Sequence, residues 1–382
     1  MVEKLRVGVI GCGGGPDMVG MSRGAYLGAL AEVTGTMDAV AVYDVIPEHA
    51  DYGASCMARA RAYTDIDAFL SSDLDAVIIG SPLYVHVEQS VAAIERGLAV
   101  LCEVTPVSTL AEAARLVAAV EAYAGFYMLA ENYHYLDHVE LVKRLIDDGR
   151  FGSVQYAEGE YLHDCRELFA AADGQETWRS GLGHRGGLYC THSLGPLLYF
   201  TGDRVANVSC MRSRTGTGGE TMLMQSIAGR VFKVRIDYNS PRPHNIAYFA
   251  VQGDAGAYES WRGFGDARKV WLADAHEPSH CFPRYSGETM SQWHALEDLA
   301  EQYIPDRLAG AKTVDFSNLF DAHAAADYWM MEAFGRALID GEPSPINVYR
   351  ALDYCVPGIV AMQSLANGGA VVPVPDFHPP GD

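Results

Sequence analysis

Residues 186–198 read GGLYCTHSLGPLL, with Tyr189 and His192 three positions apart. On a helical turn, that spacing puts both side chains on one face. A phenol or an imidazole within reach of an alcohol can take its proton near neutral pH. Gly186 and Gly187, just ahead of the pair, let the backbone pass close to a bound ligand. The pair is a candidate acid–base unit. Tyr161 and His163 in GEYLHDC and Tyr133 in AENYHY are further candidates for moving protons. Which substrate the pair serves depends on what the other end of the chain binds.

That other end opens with VGVIGCGGGPD. Gly11, Gly13 and Gly14 follow a strand-like run and precede a helix expected over Asp17–Leu30. Without a Cβ in the way, a pyrophosphate can approach the amide N–H groups of a helix N-terminus. Pro16 stands where the third glycine of GxGxxG usually falls, and Gly20 arrives late. Asp44 ends the second strand, where a ribose-binding carboxylate belongs. An acid there accepts from the 2′-hydroxyl and repels a 2′-phosphate, so the cofactor read from the sequence is NAD, not NADP. Ser81, His86, Glu103 and Asn132 stand just beyond apolar strands in GSPLYVH, CEVTP and AENYHY. Ligands bind at that edge of such sheets, so these four join the cofactor-binding set.

The elements that must carry these residues follow from pattern. LRVGVIG, AVAVYD, DAVIIGSP, LAVLCEV and FYMLAENY are apolar runs separated by helical stretches such as HVEQSVAAIERG and TLAEAARLVAAVEAYAG. Continuous apolar strands alternating with helices predict a parallel sheet covered on both faces, a doubly wound α/β domain over residues 1–130. A helix over DHVELVKRLIDDGRFG then leads into period-two runs from SVQYAEGEYLH to AYESWRG, split by Gly, Asn and Pro turns. These predict a large, open, mostly antiparallel sheet in a second α/β domain over 131–382, for substrate binding and oligomerisation. Helices are expected at SQWHALEDLAEQYI and AHAAADYWMMEAFGRALIDG, and 366–382 as an extended tail that packs back.

With 382 residues, two domains is the expected count. The formal net charge of −21 argues against nucleic acid and against an anionic membrane surface. Apolar stretches carry charges and fall short of a membrane span. The eight cysteines are scattered without a CxxC pair, which fits reduced thiols in a cytoplasm and neither a disulfide framework nor a zinc site. His163, Asp164, Cys165 and His184 match no standard metal spacing, and no metal is assigned. No export signal precedes the first strand, and a cytoplasmic protein is expected.

The combination of glycine loop, strand-end residues, open sheet and a tail reading VVPVPDF resembles the Gfo/Idh/MocA family of NAD(P)-dependent sugar oxidoreductases. In that family the fourth strand-end usually reads Glu-Lys-Pro, with the lysine moving a proton. Here the stretch is Glu103-Val104-Thr105-Pro106, and the five lysines lie elsewhere. CEVTPVST, AENYHY, GEYLHDCREL, TWRSG, GGLYCTHSLGPL, NSPRPHN and HAAADYW resemble the family's NAD-dependent glycosidase branch, typified by α-N-acetylgalactosaminidases, which also lacks the lysine. The resemblance implies that Tyr189 and His192 line the sugar site near the nicotinamide. It also implies that Glu131, Tyr161 and Arg179 contact the sugar, and Tyr133 and His163 are assigned with them to substrate binding. HAAAD at His323–Asp327 departs from the branch's glycine-rich HGGxD. The implied activity is hydride transfer at a ring secondary alcohol, C3 by resemblance, coupled to elimination and hydration that cleave a glycosidic bond without net redox change. The alternative, in a different class, is an NAD-binding regulator of the same fold without turnover. A homo-oligomer, dimer or tetramer, is expected.

Overall fold

The computed structural model describes residues 3–13, 23–170, 174–181, 186–213, 219–263, 265–273, 293–311 and 324–381. The chain forms two compact units. One comprises Met1–Tyr135, Val314–Val356 and Asp376–Asp382; the other comprises Leu136–Thr313 and Pro357–Pro375.

The first unit is built on β1 (Leu5–Ile10), β2 (Met37–Tyr43), β3 (Arg61–Tyr63), β4 (Ala76–Ile79), β5 (Ala99–Glu103) and β6 (Tyr127–Ala130). They pair in parallel in the order β3-β2-β1-β4-β5-β6, the doubly wound arrangement. Val7, Val9, Ile10, Val77, Ile78, Leu101 and Leu129 are all fully buried, which is why these strands read as unbroken apolar runs. The crossover helices are α1 (Arg23–Val33), α2 (Pro47–Ser55), α3 (Ile66–Leu70), α4 (His86–Ile94) and α5 (Leu110–Tyr123). Thr109 starts α5 with a reciprocal cap: it accepts from the Glu112 N–H at 3.1 Å while the Glu112 carboxylate accepts from its own N–H at 3.1 Å. Residues 14–22, including Gly14 and the start of the helix expected from Asp17, lie outside the described residues; α1 is described from Arg23.

The second unit begins with α6 (Asp137–Asp147) and centres on β7 (Val154–Leu162). After α7 (Thr191–Thr201) come β8 (Val205–Arg212), β9 (Glu220–Ser226), β10 (Val231–Asp237), β11 (Asn245–Gly253), β12 (Gly256–Glu259), β13 (Lys269–Leu272) and β14 (His294–Ala295). The nine-stranded sheet runs β14-β13-β12-β11-β7-β10-β9-β8-β15, where β15 is Val372–Pro373. All its pairings are antiparallel except β7 with β10, so the sheet is mixed. The tail does pack back: Val372 pairs with Val208 and Pro373 with Asn207.

The helix expected over SQWHALEDLAEQYI is not one element. Where described, it consists of β14, a 3₁₀ turn at Leu296–Leu299 and the short α8 (Ala300–Tyr303), followed by α9 (Pro305–Ala311). His294 pairs with Val270 and Ala295 with Lys269, and this ladder takes the first residues away from a helix. Helix α10 (Ala324–Asp340) belongs to the first unit, and α11 (Val348–Ala366) runs with Pro357 inside it.

Candidate active site

In the first unit, the end of β1 is shaped by what its glycines lack. Gly11 has φ +86°, and a Cβ there would lie 2.6 Å from the Ser81 nitrogen. A Cβ on Gly24 of α1 would lie 1.9 Å from the Gly11 oxygen, and one on Gly80 would lie 2.7 Å from Gly24 Cα. The ends of β1 and β4 and the body of α1 therefore meet backbone to backbone. Gly13 also has positive φ, at +28°. Asp44, beyond β2, accepts from the Cys12 N–H at 2.9 Å and from the Ile46 N–H at 3.0 Å. Each carboxylate oxygen keeps a second lone pair, so the group can still accept from ribose hydroxyls. Burial, with Asp44 beside it, pushes the Cys12 thiol far up, so this cysteine stays a neutral packing group. A glycine turn that a Cβ would block, next to a strand-end carboxylate, fits NAD.

The other strand-end residues sort by partner. Ser81 Oγ donates to Gln89 at 2.5 Å. His86, 1% exposed, places Nε2 2.7 Å from the Ser81 oxygen and Nδ1 2.9 Å from the Thr105 oxygen. Both neighbours can only accept, so both ring nitrogens donate and the ring is an imidazolium. Burial alone would lower its pKa; the Cys102 sulfur and the two carbonyls outweigh that and raise it to about 9. His86 thus ties the loop after β4 to the loop after β5. Glu103 ends β5, close to the backbone of Gly80. Beyond β6, Glu131 is fully buried and accepts from the Tyr133 N–H at 3.1 Å. Asn132 donates from Nδ2 to Asp327 of α10 at 2.9 Å. Tyr133 is 1% exposed. No sequence signal links Asn132 to Asp327, 195 residues apart.

In the second unit, β7 carries Gly159, Tyr161 and, just past its end, His163 on one face. A Cβ on Gly159 would lie 2.1 Å from the Ser193 oxygen, so α7 rests directly on the strand there. That contact sets His192 over Tyr161, with ring centroids 5.8 Å apart and planes 22° apart. Tyr189 closes a 3₁₀ turn at Gly186–Tyr189 rather than sharing α7 with His192. The two side chains meet even so: His192 Nε2 is 3.3 Å from the Tyr189 hydroxyl. Tyr161 makes a second pair, its hydroxyl 3.2 Å from His163 Nδ1. The rings of Tyr161 and Tyr189 are 5.8 Å apart, edge to face.

Two residues that the sequence did not single out complete the cluster. Tyr238 follows β10, whose Ile236 pairs with Tyr161. Its ring lies 5.7 Å from both Tyr161 and Tyr189. Burial, with Tyr189 and Tyr161 beside it, holds its pKa well above the usual value for a phenol. His244, from PRPHN, sits 4.1 Å from His163, ring to ring. Arg179 lies over the Trp178 ring at 4.3 Å and within electrostatic reach of the Cys165 thiol. Asp164 is held by the Arg166 guanidinium. His184 lies outside the described residues.

Gly186 and Gly187 serve packing inside this unit. A Cβ on Gly186 would lie 2.5 Å from Glu220 Oε2, and one on Gly187 would lie 2.5 Å from Met362 Cε. They let the turn fit between β9 and the second half of α11.

Residues 5–130 match the model of the oxidoreductase family with an NAD-binding Rossmann fold, Gfo/Idh/MocA, and residues 219–379 match that of the glycosyl hydrolase 109 C-terminal domain. The chain joins a Gfo/Idh/MocA NAD-binding domain to a glycosyl hydrolase 109 C-terminal domain. Its cofactor is NAD. Curated proteins similar to this chain include a glycosyl hydrolase family 109 protein of Saccharopolyspora erythraea, 27% identical over 98% of this chain and 83% of its own length. Another, from Solibacter usitatus, is 25% identical over 98% of this chain and 88% of its own. An α-N-acetylgalactosaminidase of Tannerella forsythia is 25% identical over 80% of this chain and 71% of its own. Among solved structures, a levoglucosan dehydrogenase in complex with NADH shares the fold, with a TM-score of 0.78 and 19% identity over 98% of this chain and all of its own.

Proposed function

We propose that the chain is an NAD-dependent enzyme that acts on a glycoside, oxidising a ring secondary alcohol at C3 and using the resulting ketone to cleave the bond at C1 without net redox change. The observation that carries this reading is the presence of two phenol–imidazole pairs, Tyr189–His192 and Tyr161–His163, in one aromatic cluster. The likeness to glycosyl hydrolase 109 proteins supports it. Gly11, Gly13, Gly14, Asp44 and the strand-end residues would hold NAD, which when bound would supply a hydride acceptor at the start and a donor at the end.

The residues of the chain handle the protons. The alcohol must lose its O–H proton, and Tyr189 with His192 takes it. The C2 hydrogen, made acidic by the neighbouring ketone, needs a second base, and Tyr161 with His163 provides it. Once loaded, that pair can return its proton to the departing C1 oxygen; water then adds its hydroxyl at C1 and a proton at C2, restoring the saturated ring ketone. Glu131, Tyr133 and Arg179 are proposed as sugar contacts.

Purified protein scanned for bound NAD and given 4-nitrophenyl glycosides tests this. Nitrophenol release without NADH accumulation is expected. NADH accumulation on a free sugar would replace the reading with a simple dehydrogenase. Bound NAD with neither activity would make the protein a regulator.

The chain is further proposed to work as a homo-oligomer in the cytoplasm. Met211, Leu223 and Val231 lie on the sheet face opposite α7 and are 63%, 54% and 41% exposed. All described cysteines are free thiols, as a reducing compartment allows. No helix among the described residues is long and apolar enough to cross a membrane.

A further inference from the structure

β9 buries every second residue: Glu220, Met222 and Met224 are 3%, 0% and 2% exposed. A glutamate thus stands in line with two methionines on the inner face of the strand. A buried carboxylate is costly unless its charge is paired and its oxygens are hydrogen-bonded. Here both conditions are met. Arg212, directly opposite on β8, bonds Oε1. The N–H of Gly186 also donates to the carboxylate, and a Cβ on that glycine would lie 2.5 Å from Oε2. The same register continues across the sheet, since Glu220 pairs with Ile236 of β10 and Ile236 with Tyr161 of β7. Paired residues share a face, so one row of the sheet carries Arg212, Glu220, Ile236 and Tyr161.

We infer that Glu220 is the positioning residue of Tyr189: its carboxylate hooks the N–H of Gly186 and so fixes the turn that presents the Tyr189 hydroxyl to His192. Gly186 and Tyr189 are the two ends of one 3₁₀ turn, so holding the first residue limits how far the phenol can shift. Against α11 the turn makes an apolar contact, where a Cβ on Gly187 would lie 2.5 Å from Met362 Cε. Such contacts have no preferred direction, whereas the hydrogen bond to Glu220 does. Arg212 acts through Glu220. It neutralises the charge and takes one oxygen, leaving the other for Gly186. Because Tyr161 lies in the same row, both phenol–imidazole pairs take their spacing from one strip of sheet, and the two phenol rings stand 5.8 Å apart. Misplacing a reacting group by about 1 Å can cost roughly a hundredfold in rate. The inference rests on the acid–base role proposed for Tyr189 and adds the group that holds it there.

The test uses two double variants of the full-length, NAD-loaded protein, and both remove the ion pair. One joins Arg212→Met to Glu220→Gln, the other Arg212→Met to Glu220→Met. Glutamine and methionine are of similar size, but only glutamine offers an oxygen to the Gly186 N–H. On a glycoside that the wild type cleaves, the methionine form should turn over roughly ten- to a hundredfold more slowly than the glutamine form, with KM values within about twofold of each other. Equal kcat in the two forms, or a difference carried by KM, overturns the inference. If the methionine form does not fold, Glu220→Gln alone takes its place. With Arg212 present, the single amide oxygen is contested, so adding Arg212→Met should raise kcat severalfold; no rise overturns the inference. If the wild type cleaves no glycoside and oxidises no sugar, the functional proposal fails separately. The imidazole NMR signal of His192, identified by its loss in His192→Ala, then decides for Glu220. Movement of that signal from its wild-type position in the methionine form but not in the glutamine form supports the inference; any other pattern overturns it.

Discussion

At the turn after β1, position is set by missing side chains: Gly11, Gly24 and Gly80 bring three backbones to within 3 Å of where a Cβ would stand. Beside β7, position is set by bulk. Tyr161, Tyr189, His192 and Tyr238 brace one another ring against ring at 5.0–5.8 Å. The first kind of site holds a ligand common to many enzymes and needs only N–H groups in the right place. In the function proposed above, the second must distinguish hydroxyls on a ring and move protons, which is work for side chains. Backbone sites fail by gaining atoms; side-chain sites fail by losing them.

The largest expected effect sharpens this contrast at the cluster. A Tyr189→Phe, His192→Ala double variant should lose turnover roughly hundred- to ten-thousand-fold while NAD still binds. Isothermal titration with NAD alongside a turnover assay checks both halves. Unchanged turnover would remove these residues from the chemistry.

Next in size is a pH effect that tests the exception within the first unit, the side chain of His86. Its folded pKa, about 9, is raised above the unfolded value near 6.5. Its contribution is therefore full below about pH 6.5 and is lost as pH rises toward 9, amounting to no more than about 3 kcal/mol. Melting temperature should fall across that window, and His86→Gln should flatten the slope. A wild-type profile as flat as that of the variant would mean the ring is not charged.

The smallest effect is at the turn itself. Gly11→Ala puts a Cβ against the Ser81 backbone at a φ that alanine rarely adopts, a strain on the order of 1–3 kcal/mol. NAD affinity should fall roughly tenfold to a hundredfold by the same measure. An unchanged dissociation constant would mean that the turn can yield.

The same contrast explains what the sequence makes legible. Strands β1, β2, β4, β5 and β6 declare themselves because each buries both faces and so reads as a continuous apolar run. β3 is Arg61–Tyr63, three residues paired to β2, too short to show a pattern. α11 escapes because Pro357-Gly358 sits at its middle and resembles a turn. Gly358 is there for another reason: a Cβ on it would lie 1.9 Å from the Gly187 oxygen. At the cluster, Tyr189 and His192 are neighbours in sequence and stand out. Tyr238 joins them only because β10 runs parallel to β7, a pairing across 75 residues that no local spacing encodes. The same holds for Asp327, which reaches Asn132 from α10.

The returning tail bears on how the molecule behaves at high concentration. One rim of the nine-stranded sheet is β15, two residues of which the second is proline, and the opposite rim is the equally brief β14. A proline offers no amide hydrogen, and two residues give a foreign strand little to zip onto. Rims this short resist runaway edge-to-edge polymerisation, and the sheet face opposite α7 is the surface left open to orderly association.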